Sequence, residues 1–131
     1  MSSVSNGKII LSSNTNVWPH ELLTAKALAD AGHIVEFIRR SNLVRETTAD
    51  AYIDGDKWEF KAPRSGKKSA IEDNLKKAAR QSNRVVFDSR RMKRIPDKAI
   101  AQELRTCLRK NKVLCAVKFV DRHGEVVDID P

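Results

Sequence analysis

Between residues 49 and 61 the chain reads ADAYIDGDKWEFK, and apolar and polar positions alternate through it. Strand side chains point to opposite faces with a period of two. Ala51, Ile53, Trp58 and Phe60 therefore share one face, and Asp50, Tyr52, Asp54, Glu59 and Lys61 share the other. The pattern predicts a β-hairpin. A two-residue turn at Gly55 and Asp56 sets Asp54 against Lys57, Tyr52 against Glu59 and Asp50 against Lys61.

Helical spacing governs other stretches. Pro19 suits a first helical turn and Gly32 a C-terminal cap, which predicts a helix over 19–31 with Leu22, Leu23, Ala25 and Leu28 as its core stripe. A strand over 34–38 follows, then a basic loop with Arg39, Arg40 and Arg45 before the hairpin. Residues 62–68, APRSGKK, read as a positively charged Pro and Gly loop. Ser69 then caps a helix over 70–82, Glu72 completes a capping box, and Ile71, Leu75, Ala78, Ala79 and Ser82 fall at helical spacing. The run RVVFD at 84–88 reads as a central strand. Pro96 opens a third helix running to 109, with Ile100, Leu104, Cys107 and Leu108 inward, and strands over 113–120 and 125–129 close the chain as a hairpin around Arg122, His123 and Gly124. This order specifies an α/β (α+β) fold, a single domain over 17–131 with a mixed β-sheet and flanking helices, after a flexible N-terminal segment over 1–16.

Composition narrows the partner. A chain of 131 residues, 40% of them hydrophobic, suffices for one core and no second domain. Twenty-five Lys and Arg against 17 Asp and Glu give a net charge of +8, which favours a polyanion, with nucleic acid first. No helix joins a basic face to a strongly apolar one, so no membrane partner is expected, and the N-terminal residues show neither a signal-peptide pattern nor a membrane-spanning run. Cys107 and Cys115 lack metal-ligand spacing and read as small buried apolar residues. His20, His33 and His123 are scattered, no Ser/His/Asp or Cys/His nucleophile is apparent, and no Gly-rich phosphate loop is present.

The polar hairpin face carries the chemistry. Cleaving a phosphodiester calls for a cation to neutralise phosphate charge and to activate water or hold the leaving oxygen. Asp50 and Glu59 are hard-oxygen ligands suited to Mg²⁺ or Mn²⁺, with Zn²⁺ less suited, and the Phe60 carbonyl offers a further oxygen. Lys61 can orient water or stabilise phosphorane charge. Tyr52 shares the face and can stack on or hydrogen-bond to substrate. Arg64, Lys67 and Lys68 follow Lys61, and Lys77, Arg80, Gln81 and Arg84 lie along the next helix and its exit, so a phosphate-binding groove beside the site is expected from them. Arg90, Arg91, Lys93 and Arg94 form a second basic run whose default reading is a solvated loop.

Glu21 in the first helix, Asp50 at the start of a strand, Glu59-Phe60-Lys61 on the next, and Gln81 at the end of the following helix together resemble the PD-(D/E)XK nuclease superfamily. More narrowly, residues 21–88 resemble the C-terminal toxin domains of contact-dependent growth inhibition proteins, many of which are tRNA nucleases. The dipeptide before the strand is Ala49-Asp50 where the superfamily has Pro-Asp, and a different register would make Asp54 the ligand. The resemblance implies a restriction-endonuclease-like core, a metal site of Glu21, Asp50 and Glu59, and Lys61 as the catalytic lysine. It further implies a divalent-metal-dependent RNase acting on tRNA, a matched immunity protein, and action in the cytoplasm after delivery within a larger secreted protein. A phage or restriction-type DNA endonuclease and a non-catalytic nucleic-acid-binding module stay open as alternatives.

Overall fold

The structure is a computed structural model that describes residues 6–12, 15–39 and 49–131. Arg40 and Arg45 of the expected basic loop lie outside the described residues. The chain forms one sheet with the strands in sequential order: β1 (Lys8–Ile10), β2 (Ile34–Phe37), β3 (Ala51–Ile53), β4 (Asp56–Lys61), β5 (Arg84–Asp88), β6 (Ala116–Val120) and β7 (Val126–Asp128). Strands β1, β2, β4, β5 and β6 run parallel, while β3 and β7 run against them. The three helices are α1 (Pro19–Asp30), α2 (Ser69–Ala78) and α3 (Asp97–Lys110). The mixed sheet with flanking helices is the α+β domain that the patterning specifies.

Helices cover both faces. Ala25, Ala27 and Leu28 of α1 pack on Val35, Phe37, Ala51, Ile53, Trp58, Phe60, Val86 and Val120. On the other face, Ile71, Leu75 and Ala78 of α2 and Ile100, Leu104, Cys107 and Leu108 of α3 pack on Val85, Phe87, Val117 and Phe119. Burial on both sides makes β5 the apolar central strand that RVVFD implies.

Several local expectations change. β1 lies inside the stretch 1–16 expected to be flexible: it pairs with β2, and Gly7 beside it sits so close to α1 that a Cβ there would stand 1.9 Å from the Ala29 carbonyl oxygen. On α1, Leu22 and Leu23 are exposed, while Glu21 and Thr24 are buried with Ala25 and Leu28. The helix is turned this way because the Thr24 hydroxyl donates to Asp88 of β5 at 2.6 Å. Ser69 is not an N-cap: Lys68 holds that position in helical conformation, with no side-chain capping bond. α2 ends at Ala78, before the expected Ser82, because Gln81 N–H closes a turn on the Ala78 carbonyl at 2.9 Å and the Ser82 hydroxyl donates to the Lys57 carbonyl at 2.8 Å. Cys107 is buried and Cys115 exposed, and both are free thiols.

The hairpin differs from its expected register. Its turn residues are Asp54 and Gly55, at φ 50° and 93°, so both central residues are left-handed as a type I′ turn requires. Ala51 pairs with Trp58, Tyr52 with Lys57 and Ile53 with Asp56. The pairing of Asp50 with Lys61 and of Tyr52 with Glu59 is thereby replaced, yet both faces keep their members because the slip is an even number of residues.

Candidate active site at the carboxyl ends of the strands

In open sheets with parallel strands, ligand sites form outside the carboxyl ends of the strands. Here that end gathers Lys61, the last residue of β4, and Asp88, the last residue of β5. It also holds Asp50, because β3 runs the other way and begins there.

Asp50 brackets Glu59. Its N–H donates to the Trp58 carbonyl at 3.1 Å and its Oδ2 accepts the Phe60 N–H at 2.9 Å, so it grips the backbone on either side of Glu59. Both carboxylates are 7% exposed. Burial, with the Asp50 charge next, pushes the Glu59 carboxyl up from 4.5 to about 8, against the opposing pull of Lys61. Lys61 Nζ lies 3.5 Å from Glu59 Oε2, while Glu59 Oε1 is buried with no hydrogen-bond partner among the described residues. A buried carboxylate oxygen without a donor is costly, and a proton shared with Asp50 or a cation removes that cost. The donor set is all oxygen, which fits a hard divalent cation such as Mg²⁺ or Mn²⁺.

Asp54 is held elsewhere. Its Oδ1 accepts the Ile34 N–H at 2.9 Å and its Oδ2 lies 2.7 Å from His33 Nδ1, at the turn end of the hairpin. Burial raises its pKa, but the Ile34 bond and His33 outweigh it and the carboxyl ends below its ordinary value. The structure thus sets Asp50, not Asp54, beside Glu59 and Lys61.

Glu21 sits in the first turn of α1, on the opposite face of the sheet from α2, and its Oε1 accepts the Trp18 N–H at 3.0 Å. This is the reach of an N3 glutamate back to its cap. α1 is fastened to the strand ends through Asp88, which accepts from Thr24 at 2.6 Å and from Arg90 at 2.7 Å, while Arg90 also donates to the Leu23 carbonyl at 3.0 Å. Among the described residues, Glu21, Asp50 and Glu59 are not a set whose donor atoms all lie within 4.8 Å of one another. Glu72, Glu103 and Cys107 are such a set, between α2 and α3. Burial, then Glu103 and Glu72, push that thiol up to about 11, and Lys76 already pairs with Glu72 at 3.4 Å.

The expected groove splits in two. Tyr52 shares the face of Glu59 but stands opposite Lys57, one step toward the turn. Arg64, Lys67 and Lys68 lie in the loop directly after Lys61. Lys77, Arg80, Gln81 and Arg84 lie at the other end of β4, where Ser82 bonds Lys57 and Arg84 stands 4.0 Å from Asp56. Six strand residues separate the two ends by about 16 Å, so Gln81 and its basic neighbours do not border Lys61. Two features escaped sequence reasoning: the Thr24–Asp88–Arg90 tie and the way the second basic run, after β5, reaches the same end as Lys61. The signal available for both was an aspartate closing an apolar strand, followed at once by Ser-Arg-Arg.

No helix among the described residues is long and apolar enough to cross a membrane. A search of curated proteins found none that matches the sequence. Among solved structures, a chain of the CdiA-CT/CdiI toxin and immunity complex from Burkholderia pseudomallei superposes with a TM-score of 0.69 at 19% identity, covering 95% of this chain and 100% of that one. At that identity the likeness speaks for the fold. The family model for the contact-dependent growth inhibition CdiA C-terminal domain matches residues 46–126, well over half of the chain, a span that holds Asp50, Glu59 and Lys61 and begins after Glu21. The chain belongs to this family of CdiA C-terminal toxin domains.

Proposed function

We propose that the domain is a toxin nuclease of the PD-(D/E)XK type that hydrolyses phosphodiester bonds in tRNA, with Asp50 and Glu59 as ligands of a divalent cation and Lys61 as the catalytic lysine. The observation that carries this reading is Glu59 Oε1, buried and without a donor, beside Asp50 and one carboxylate oxygen away from Lys61 Nζ. Mg²⁺ or Mn²⁺ held by Asp50 and Glu59 would supply charge neutralisation at the phosphate and acidify a water.

The chain's own groups do the rest. Asp50, held by the Phe60 N–H, keeps Glu59 in place and adds negative charge that favours a cation at the site. Lys61 steers the attacking water and stabilises the developing phosphorane charge as a point cation. Water oxygen bonds to phosphorus as the bond to the leaving oxygen breaks, and the proton passes to that oxygen. Glu21 lies in the first turn of α1 with one oxygen engaged by the Trp18 N–H, and we assign it an outer role in the site. An immunity protein that blocks these strand ends, and delivery into the cytoplasm of a target cell from a larger secreted protein, complete the proposal. The toxin and immunity complex named for the superposed structure supports an immunity protein as partner.

Incubation of the domain with total tRNA, single-stranded DNA and plasmid, with Mg²⁺, Mn²⁺, Zn²⁺ or EDTA, tests it. Loss of tRNA alone, dependent on metal and abolished in Glu59→Ala and Lys61→Ala, is the expected result. Plasmid nicking instead assigns the site to DNA. Binding without cleavage under every metal overturns the catalytic reading.

A further inference from the structure

The loop after β4, residues 62–68, and the loop after β5, residues 89–96, come together beyond the strand ends. A Cβ on Gly66 would stand 3.2 Å from Arg94 Cδ, so glycine at that point lets the Arg94 side chain lie against the first loop. A cleft of about 290 Å³ lies between them, lined by Arg64, Gly66, Arg91, Lys93 and Arg94. All four side chains there are cationic, and none has an ion-pair partner among the described residues.

This convergence is built by the core. Met92 is 3% exposed and packs into the α2/α3 layer, with its N–H donating to the Ser89 carbonyl at 2.8 Å. Ser89 in turn donates to the Val120 carbonyl through its N–H at 3.0 Å and its hydroxyl at 3.1 Å. Anchoring Met92 leaves Arg91 and Lys93, its neighbours on either side, to the surface. Four like charges around one cleft repel, and an anion relieves that repulsion. Guanidinium forks match phosphate oxygens in particular, and the volume is several times the roughly 30 Å³ of a water.

We propose that this cleft is a phosphate-binding subsite for the nucleic-acid backbone, taking a phosphate that neighbours the one cleaved at Lys61. The proposal rests on the nuclease reading. Arg64 is three residues beyond Lys61, so the two lie within about 10 Å along the chain even if it is fully extended. The subsite recruits Arg91, Lys93 and Arg94, and it replaces the Lys77, Arg80 and Arg84 end of the sheet as the path of the backbone.

The test is binding of a labelled tRNA and a single-stranded oligonucleotide in EDTA, where metal-dependent cleavage is off, over a range of salt. The proteins compared are the wild type, Arg91→Ala/Arg94→Ala, Arg91→Lys/Arg94→Lys, and a charge-matched control, Lys26→Ala/Lys110→Ala. Each neutralised phosphate contributes about 0.7 to 0.9 to the slope of log K against log salt. The expected result is a slope shallower by about one and affinity weaker by several-fold in Arg91→Ala/Arg94→Ala, with both restored by the Lys pair and unchanged in the control. An unchanged slope, a loss equal to the control's, or a wild type that does not bind nucleic acid overturns the subsite. Cleavage with metal separates the two claims: a wild type that binds with the expected slope change and never cuts sinks the nuclease reading alone. A wild type that cuts while the Arg91/Arg94 variant binds and cuts equally well sinks the subsite alone.

Discussion

Replacing Glu59 by Gln should remove a pH-dependent strain from the metal-free protein. The Glu59 carboxyl rises from 4.5 to about 8 because burial and the Asp50 charge disfavour its ionised form. A folded pKa above the unfolded one means that the folded state holds the extra proton. Stability from this group is therefore fully present below about 4.5 and is lost as pH climbs toward about 8. Each tenfold gain in proton affinity on folding corresponds to about 1.4 kcal/mol, so the loss is on the order of 2–5 kcal/mol. For a chain of this size that is roughly 6–15 °C in Tm.

The assay is thermal unfolding in EDTA across about pH 5 to 8, taking the difference between wild type and Glu59→Gln so that titrating groups away from Glu59 cancel. The wild type should lose stability relative to the variant as pH rises. Added Mn²⁺ should reverse this in the wild type alone, and more at the upper end of the range, because a cation must displace the proton that Glu59 carries. Parallel pH curves for the two proteins would refute the account of Glu59. Equal stabilisation of both by Mn²⁺ would refute the cation site.

Lys61→Ala should lower the cleavage rate by about 10²–10³-fold with little change in Tm, as removal of one transition-state donor does elsewhere. Asp50→Ala should abolish cleavage, whereas Asp54→Ala should keep it while costing about 1–2 kcal/mol in urea unfolding, since only the Ile34 and His33 contacts of the turn are lost; the opposite pattern would show that the ligand was misassigned. Asp88→Ala should destabilise by about 3 kcal/mol, because Arg90 loses its carboxylate and the buried Thr24 hydroxyl one of its acceptors, and it should lower cleavage as α1 loosens from the strand ends. Arg80→Ala and Gln81→Ala should leave cleavage of tRNA unchanged, and a clear loss in either would mean that substrate runs along the Lys57 end of the hairpin.

The polar face of the hairpin was legible although its register was not, and the reason is parity. Moving the turn from Gly55-Asp56 to Asp54-Gly55 slides the partner strand by two residues, which leaves Asp50, Glu59 and Lys61 on one side while exchanging which of them meet. Alternation reports faces, and turn chemistry reports pairs. The Asp-Gly dipeptide was the better turn signal, since aspartate and glycine both accept the left-handed backbone of a type I′ turn. The stripe on α1 failed for another reason. Periodicity ranks Leu22 and Leu23 above Glu21 and Thr24, but the preference is local, and the Asp88 carboxylate that turns the helix comes from a strand far along the chain. A helix that buries a glutamate and a threonine while exposing two leucines breaks its own pattern, and such breaks concentrate where function constrains the fold.

The two basic loops pose the same problem at larger scale. Each, read alone, is a charged connection whose default state is solvation, and nothing in either run names the other as its neighbour. What joins them is topology: β4 and β5 are adjacent and parallel, so both strands release their loops at the same end of the sheet. Met92 and Gly66 then close the gap, one by sinking into the core and the other by having no side chain to hold Arg94 away. The same parallel pairing sets Lys61 beside Phe87, one residue before Asp88. The acidic pair, the lysine and the cationic cleft thus share one edge as a consequence of strand order. On the proposed reading, a substrate with a phosphate at Lys61 would have its neighbouring backbone run toward the cleft, so charge placement at Arg91 and Arg94, rather than net charge, should govern how the domain holds nucleic acid.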